Sequence, residues 1–260
     1  MNQSTCIYQD MAARTQNSIY IGVVGPVRTG KSTFIKRFMD LLVLPHIANT
    51  YTRERAKDEL PQSASGRTIM TTEPKFVPNE AVEISLGDNA DVRVRMIDCV
   101  GYLVPGSEGD MDGDSPRMVH TPWAENAMPF REAAELGTKK VMEGHCSIGI
   151  VVTTDGTITE IPREDYVQAE KRAITDMQKT GKPFLVIVNS RNPAGEVKAY
   201  LQSTFGLEPI VADCQALDAE GIGKLMKALL YTFPMSELRV HLPRWMDALE
   251  PEHPVKAALY

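Results

Sequence analysis

The stretch Gly25–Thr33, GPVRTGKST, follows the apolar run SIYIGVVG (Ser18–Gly25) and precedes KSTFIKRFMDLLVLP (Lys31–Pro45). The first run is rich in β-branched residues and reads as a buried strand. The second places Phe34, Ile35, Phe38, Leu41 and Leu42 on one face of a helix that Pro45 is expected to stop. Gly25-x4-Gly30-Lys31-Ser32 therefore has the spacing of a phosphate loop in the strand-to-helix context that the motif requires. The two glycines permit backbone conformations and close approaches that a side chain would block. Backbone N–H groups from Gly25, Pro26, Val27, Arg28, Thr29, Gly30, Lys31, Ser32 and Thr33, proline excepted, can then face phosphate oxygens at a helix N-terminus. Lys31 supplies a point charge toward the β and γ oxygens, and Ser32 a hydroxyl toward Mg²⁺.

Working outward, strand and helix patterns alternate. A charged segment from Asn49 to Gly66 reads as a short exposed helix and a mobile loop. KFVPNEAVEISL and ADVRVRMID read as an antiparallel hairpin turning at Gly87–Asn89. A Gly- and Pro-rich loop runs from Gly101 to Trp123. Helices are expected at 130–144, 163–181, 193–206 and 221–233, with strands at 146–155, 183–190 and 208–214. The alternation predicts an α/β fold with a mostly parallel sheet, one antiparallel hairpin strand and helices on both faces. The expected organisation is an N-terminal arm (1–17), a P-loop domain (18–235) and a C-terminal tail (236–260).

The strand ending at Asp98 opens Asp-x-x-Gly, with Gly101 free to approach a γ-phosphate. In P-loop NTPases an aspartate at this place holds Mg²⁺, usually through water. Thr68, Thr71 and Thr72 precede the hairpin, and Thr71 and Thr72 fit a switch threonine that meets Mg²⁺ and the γ-phosphate only in the triphosphate state. Threonine pairs are also common at strand edges. Tyr102 stands where Ras-like enzymes carry a water-orienting glutamine, so hydrolysis is expected to be slow or the water held otherwise. Arg28, Arg53, Arg55 and Arg117 are candidates for neutralising transition-state charge, or are solvated surface residues.

The base is read from VIVNSRNP. Guanine-selecting motifs follow a strand with Asn-Lys-x-Asp; here the tetrad is Asn189-Ser190-Arg191-Asn192. Asn192 cannot present two carboxylate acceptors to guanine's adjacent donors, which favours ATP over GTP.

Bulk properties set the outer limits. The 260 residues carry a formal charge of -6, with 43% hydrophobic and 24% charged residues. That composition is ordinary for a globular protein and argues against a nucleic-acid partner, which calls for a basic face. No signal peptide and no membrane-spanning run is readable. Cys6, Cys99, Cys146 and Cys214 form no CxxC pair, as expected of reduced cytosolic cysteines. His120 and His145 lack ligand-spaced partners, and RWMDAL (Arg244–Leu249) is expected to pack on the domain rather than enter a membrane. A GTPase switch, a nucleotide-bound scaffold with little turnover and a small-molecule kinase remain as alternatives.

Four stretches together, YIGVVGPVRTGKSTFIKRFM, TTEPKFVP, RMIDCVGYLV and GIVVTTDGTITEIPREDYVQAEKR, closely resemble the stage IV sporulation protein A family. The resemblance implies a spore-coat morphogenetic ATPase, related to translation-factor-type GTPases but using ATP with Mg²⁺. It implies hydrolysis that drives self-assembly into a static layer around the forespore, in the mother-cell cytoplasm. Implied partners are further copies of the chain, the small amphipathic membrane peptide SpoVM and other spore-coat proteins, with the membrane surface met only indirectly. On this resemblance Lys31 is the phosphate-loop lysine, Asp98 the Mg²⁺-side aspartate, and Thr71 and Thr72 the sensor threonines. Family members are longer, so the chain resembles their N-terminal ATPase part.

Overall fold

β1 (Ser18–Val24), β2 (Lys75–Ser85), β3 (Asp91–Asp98), β4 (Ile148–Thr154), β5 (Phe184–Asn189) and β6 (Ile210–Ala212) form one sheet in the order β6-β5-β4-β1-β3-β2. The computed structural model describes residues 18–61, 73–85, 91–233 and His253. β1 is central and pairs in parallel with both neighbours, Ile21 lying opposite Met96 of β3 and Ile148 of β4. β4–β5 and β5–β6 are also parallel. Only β2 runs antiparallel, against β3, with a register shift between Val77 and Val82. The expected hairpin strand is thus present, while its turn at 87–89 lies outside the described residues.

Among the described residues six α-helices accompany the sheet: α1 (Lys31–Phe38), α2 (Thr50–Asp58), α3 (Phe130–Lys140), α4 (Arg163–Lys179), α5 (Gly195–Phe205) and α6 (Ala219–Tyr231). Alternation along β1 sorts them. Ile19, Ile21 and Val23 join Phe34, Ile35 and Phe38 of α1 and Leu225, Met226 and Leu229 of α6 in one core. Val24 and Val151 join Phe130 of α3, Tyr166 and Ile174 of α4 and Leu201 of α5 in a second. β4 is buried along its whole length, which explains why IGIVVTT reads as a continuous apolar run rather than an alternating one. Each fully buried side chain of this size stabilises by about 1.5–3 kcal/mol, so the two cores fix the strand ends that carry the loops. This is the expected α/β arrangement, a mostly parallel sheet with one antiparallel strand and helices on both faces.

The helical pattern after the phosphate loop is not one helix. α1 passes into a π-turn (Met39–Val43) and a 3-10 turn (Leu44–His46), and Pro45 sits inside the latter instead of stopping the run before it. Proline is tolerated there because the first N–H groups of a helical turn lack intrahelical partners anyway. α3 also ends in a π-turn (Val141–His145), where Lys182 Nζ donates to the carbonyls of Met142, Glu143 and Cys146 at 2.8, 2.8 and 2.7 Å. α2 is the short exposed helix expected, capped by the Asn49 side chain accepting from Thr52 N–H at 3.0 Å. The Gly- and Pro-rich loop carries two antiparallel ladders, Met111–Asp112 with Ser115–Pro116 and Met118–Val119 with Met128–Pro129. β6 is shorter than its sequence run. Among the described residues no helix is long and apolar enough to cross a membrane.

Candidate functional site

The C-terminal end of β1 delivers Gly25 into a loop that closes at Gly30, the residue before α1. Two close approaches require glycine. A Cβ on Gly25 would strike the Val152 carbonyl, and one on Gly30, at φ 89°, would strike Asn189 Nδ2. Thr29 is fully buried and its hydroxyl donates to Pro26 O at 3.0 Å, tying the loop across its own base. Arg28 adopts a positive φ of 64°, while Val27 is buried and Thr33 lies in the first turn of α1.

Lys31 opens α1 and is only 6% exposed. Its ammonium donates to Pro26 O at 2.6 Å and reaches Gly25 O at 3.5 Å. Burial pushes its pKa down to about 8, against the opposing pull of the Asp98 carboxylate. Asp98, at the end of β3, accepts from Ser32 Oγ at 2.6 Å. Burial raises the Asp98 pKa in spite of the Ser32 bond and the Lys31 charge. A hydroxyl and a carboxylate oxygen held side by side are hard donors suited to Mg²⁺, which keeps several waters and takes phosphate oxygens as its remaining ligands. Among the described residues no group of three or more His, Cys, Asp or Glu could hold a metal by itself.

The Asp-x-x-Gly segment turns back onto this loop. Tyr102 N–H donates to Gly25 O at 3.1 Å, and Val27 N–H donates to Tyr102 O at 2.8 Å. This Pro26–Tyr102 bridge resumes the parallel β1–β3 pairing beyond the strand ends. Gly101 has φ 97°, and a Cβ there would strike Gly25 O and come within 2.8 Å of Lys31 Nζ. The Gly101 N–H donates to Thr138 Oγ1 of α3 at 3.2 Å. The Tyr102 ring is wholly buried and its hydroxyl donates to Asp176 Oδ2 of α4 at 2.8 Å.

Asn189, at the end of β5, is a strut. Its Nδ2 donates to Thr29 O at 3.0 Å, and its Oδ1 accepts from Cys214 N–H at 3.0 Å. It thereby joins the phosphate loop to the segment after β6. The next residue reveals a group not singled out from the sequence. Ser190 Oγ donates to Asp155 Oδ2 at 2.5 Å and accepts from Asn192 N–H at 2.9 Å. Thr157 Oγ1 donates to Asp155 Oδ1 at 2.6 Å. Burial alone would raise the Asp155 pKa, but the hydrogen bonds from Ser190 and Thr157 outweigh it and hold the carboxylate ionised. This clasp joins the loops after β4 and β5. A serine at the lysine place, beside an Asp-Gly-Thr turn, was the signal available.

The structure thus brings together Gly25–Thr33, Asp98, Gly101 and Asn189. Thr68, Thr71 and Thr72 lie outside the described residues, as do Cys6 and RWMDAL. Of the candidate arginines, Arg55 pairs with Glu80 at 3.1 Å and Arg117 donates to Gly109 O at 3.2 Å. His145 stacks edge-on against Phe76, and Cys99, Cys146 and Cys214 are free and buried.

Residues 1–234 match the family described as stage IV sporulation protein A, ATPase domain. Stage IV sporulation protein A of Bacillus anthracis is 49% identical over 251 residues, covering 95% of this chain and 51% of the relative. That of Clostridioides difficile (strain 630) is 48% identical over 257 residues, covering 97% and 52%. The chain therefore spans about half the length of the curated relatives it matches. Among solved structures, the cytosolic domain of L. pneumophila FeoB overlaps 88% of this chain and 70% of its own, at 16% identity and a TM-score of 0.43. A phosphate loop on an α/β sheet and close identity along nearly the whole chain lead to one assignment: the chain belongs to the stage IV sporulation protein A family, through that family's ATPase domain.

Proposed function

We propose that the chain binds ATP with Mg²⁺ and hydrolyses it slowly, and that hydrolysis drives self-assembly of a layer at the forespore surface on which the spore coat is built. The observation that carries the reading is the buried Lys31 beside the Ser32–Asp98 pair, in a chain whose family is described as having an ATPase domain. In this reading Gly25–Thr33 hold the phosphates, and Lys31 meets the β and γ oxygens. Ser32 and Asp98 hold Mg²⁺ with Thr72, and Thr71 and Thr72 sense the γ-phosphate. Bound Mg²⁺ would neutralise charge developing on the transferred phosphoryl group. Gly101 N–H is the γ-phosphate contact from the opposite side.

Preference for ATP is supported by the Ser190–Asp155 clasp. A serine hydroxyl engaged in that way replaces the lysine of a guanine motif, and Asn192 replaces its aspartate. Asn189 serves the phosphate loop whichever base is bound. Further copies of the chain, the peptide SpoVM and other coat proteins are the proposed partners, in the mother-cell cytoplasm.

A second reading, a scaffold that holds nucleotide with little turnover, is favoured by Tyr102. Its hydroxyl proton is committed to Asp176. Phosphate release from ATP and from GTP, with Mg²⁺, separates the readings. Turnover of ATP well above GTP, lost in Lys31→Ala, is the expected result. Preference for GTP would overturn the base assignment, and binding without turnover would favour the scaffold.

A further inference from the structure

We propose that Thr138 sets how strongly the site distinguishes a nucleoside triphosphate from a diphosphate, by occupying the backbone donor that a γ-phosphate needs. The inference rests on the ATP-binding reading above and names a positioning residue within it.

Thr138 is fully buried on α3, on the side of the sheet opposite α1. Its hydroxyl donates to Ala134 O at 2.8 Å, one turn back on its own helix. With the proton spent there, Oγ1 faces Gly101 as an acceptor only, and takes the Gly101 N–H at 3.2 Å. Gly101 lies against the phosphate loop, close enough that a Cβ would come within 2.8 Å of Lys31 Nζ. A phosphate oxygen beside Lys31 competes for the same N–H, and one donor cannot point at both acceptors. Thr138 is thus a stand-in for the γ-phosphate. ATP must displace it; ADP, lacking the γ-phosphate, leaves it in place. The neighbouring bonds, Tyr102 N–H to Gly25 O and Val27 N–H to Tyr102 O, involve neither Thr138 nor the Gly101 donor. The effect of Thr138 is therefore separable from the closure of the segment as a whole.

Thr138→Val keeps the shape and removes the acceptor. In the nucleotide-free and ADP-bound states the Gly101 N–H is then buried without a partner; in the ATP-bound state the phosphate satisfies it. An unsatisfied buried donor is unfavourable enough to shift the comparison by about 5- to 100-fold. The variant should therefore favour ATP over ADP more than the wild type does, although it loses a native hydrogen bond. Thr138→Ser, which keeps the hydroxyl, should restore the wild-type ratio.

The test is the dissociation constants of ADP and of a β,γ-methylene ATP analogue, with Mg²⁺, for the 260-residue chain, Thr138→Val, Thr138→Ser and Lys31→Ala. The expected result is an ADP-to-analogue ratio raised about five-fold or more in Thr138→Val and returned to within about two-fold by Thr138→Ser. An unchanged or lowered ratio in Thr138→Val, with binding still dependent on Lys31, overturns the proposal alone. A role in folding only would weaken both ligands alike and leave the ratio unchanged. Binding that survives Lys31→Ala undiminished overturns the phosphate-loop reading, and this inference with it.

Discussion

Replacing Asn189 by alanine should loosen two loops at once. Asn189 is 4% exposed, and both of its backbone partners, Thr29 O and Cys214 N–H, belong to residues with no exposed surface. Asn189→Ala leaves a buried carbonyl and a buried amide unpaired. Each such group is unfavourable by about 1–3 kcal/mol, so the expected loss of stability is about 2–6 kcal/mol, nearer the lower end if water enters the vacated space. Asn189→Asp keeps an acceptor for Cys214 N–H but buries a carboxylate against Thr29 O, so it should be at least as damaging at neutral pH. Urea unfolding measures both. The midpoint should fall in Asn189→Ala with little change in the denaturant slope, and by at least as much in Asn189→Asp. ATP and ADP affinities should weaken together, because the strut acts on the loop and not on the γ-phosphate. A loss below about 1 kcal/mol in Asn189→Ala would refute the reasoning, since that is the scale of one exposed hydrogen bond.

The pH dependence of stability should report on Lys31. Its pKa falls from 10.5 to about 8 on burial, so the unfolded chain binds this proton more tightly than the folded one. The burden on folding is full below pH 8 and is relieved as pH rises toward 10.5, by up to roughly 3 kcal/mol. Lys31→Met, which cannot titrate, should lack that rise when urea midpoints at neutral and alkaline pH are compared; parallel curves for the two proteins would count against a buried ammonium. Glu170, with no exposed surface, accepts from Arg163 Nη2 at 2.6 Å and from the Thr153 hydroxyl. Glu170→Gln leaves the guanidinium without its counter-charge, so a loss of about 3 kcal/mol is expected in thermal unfolding, and a loss near zero would mean the pair is energetically neutral.

Local signals were the legible ones. Gly25 and Gly30 announced a phosphate loop, and the apolar runs gave the sheet and both helical layers. Asp98 and Asn189 lie at strand ends as expected, because in each case a polar residue closes an apolar run. What stayed hidden involves partners distant in the chain. Tyr102 was read as a missing glutamine; its burial depends on Asp176 of α4, which no local pattern links to it. The Asp155–Ser190 clasp joins two loops that only parallel pairing of β4 and β5 brings side by side. The π-turns after Phe38 and Lys140 escaped because one extra residue per turn barely disturbs a helical apolar stripe over so short a run. β6 is brief because its neighbour β5 ends at Asn189, so the residues after Ala212 have no strand to pair with.

Asn189, Ser190 and Asn192 sit in one tetrad yet answer to different neighbours. Asn189 holds Thr29 O and Cys214 N–H, while Ser190 holds the loop after β4. On the proposed reading, grip on the triphosphate and choice of base are inherited separately. A lineage built on this plan can exchange one nucleobase for another by substitutions at 190 and 192, one at a time, with every intermediate still able to hold phosphate. The same separation bars the reverse experiment from being done at 189, where any change made for the sake of the base also undoes the loop.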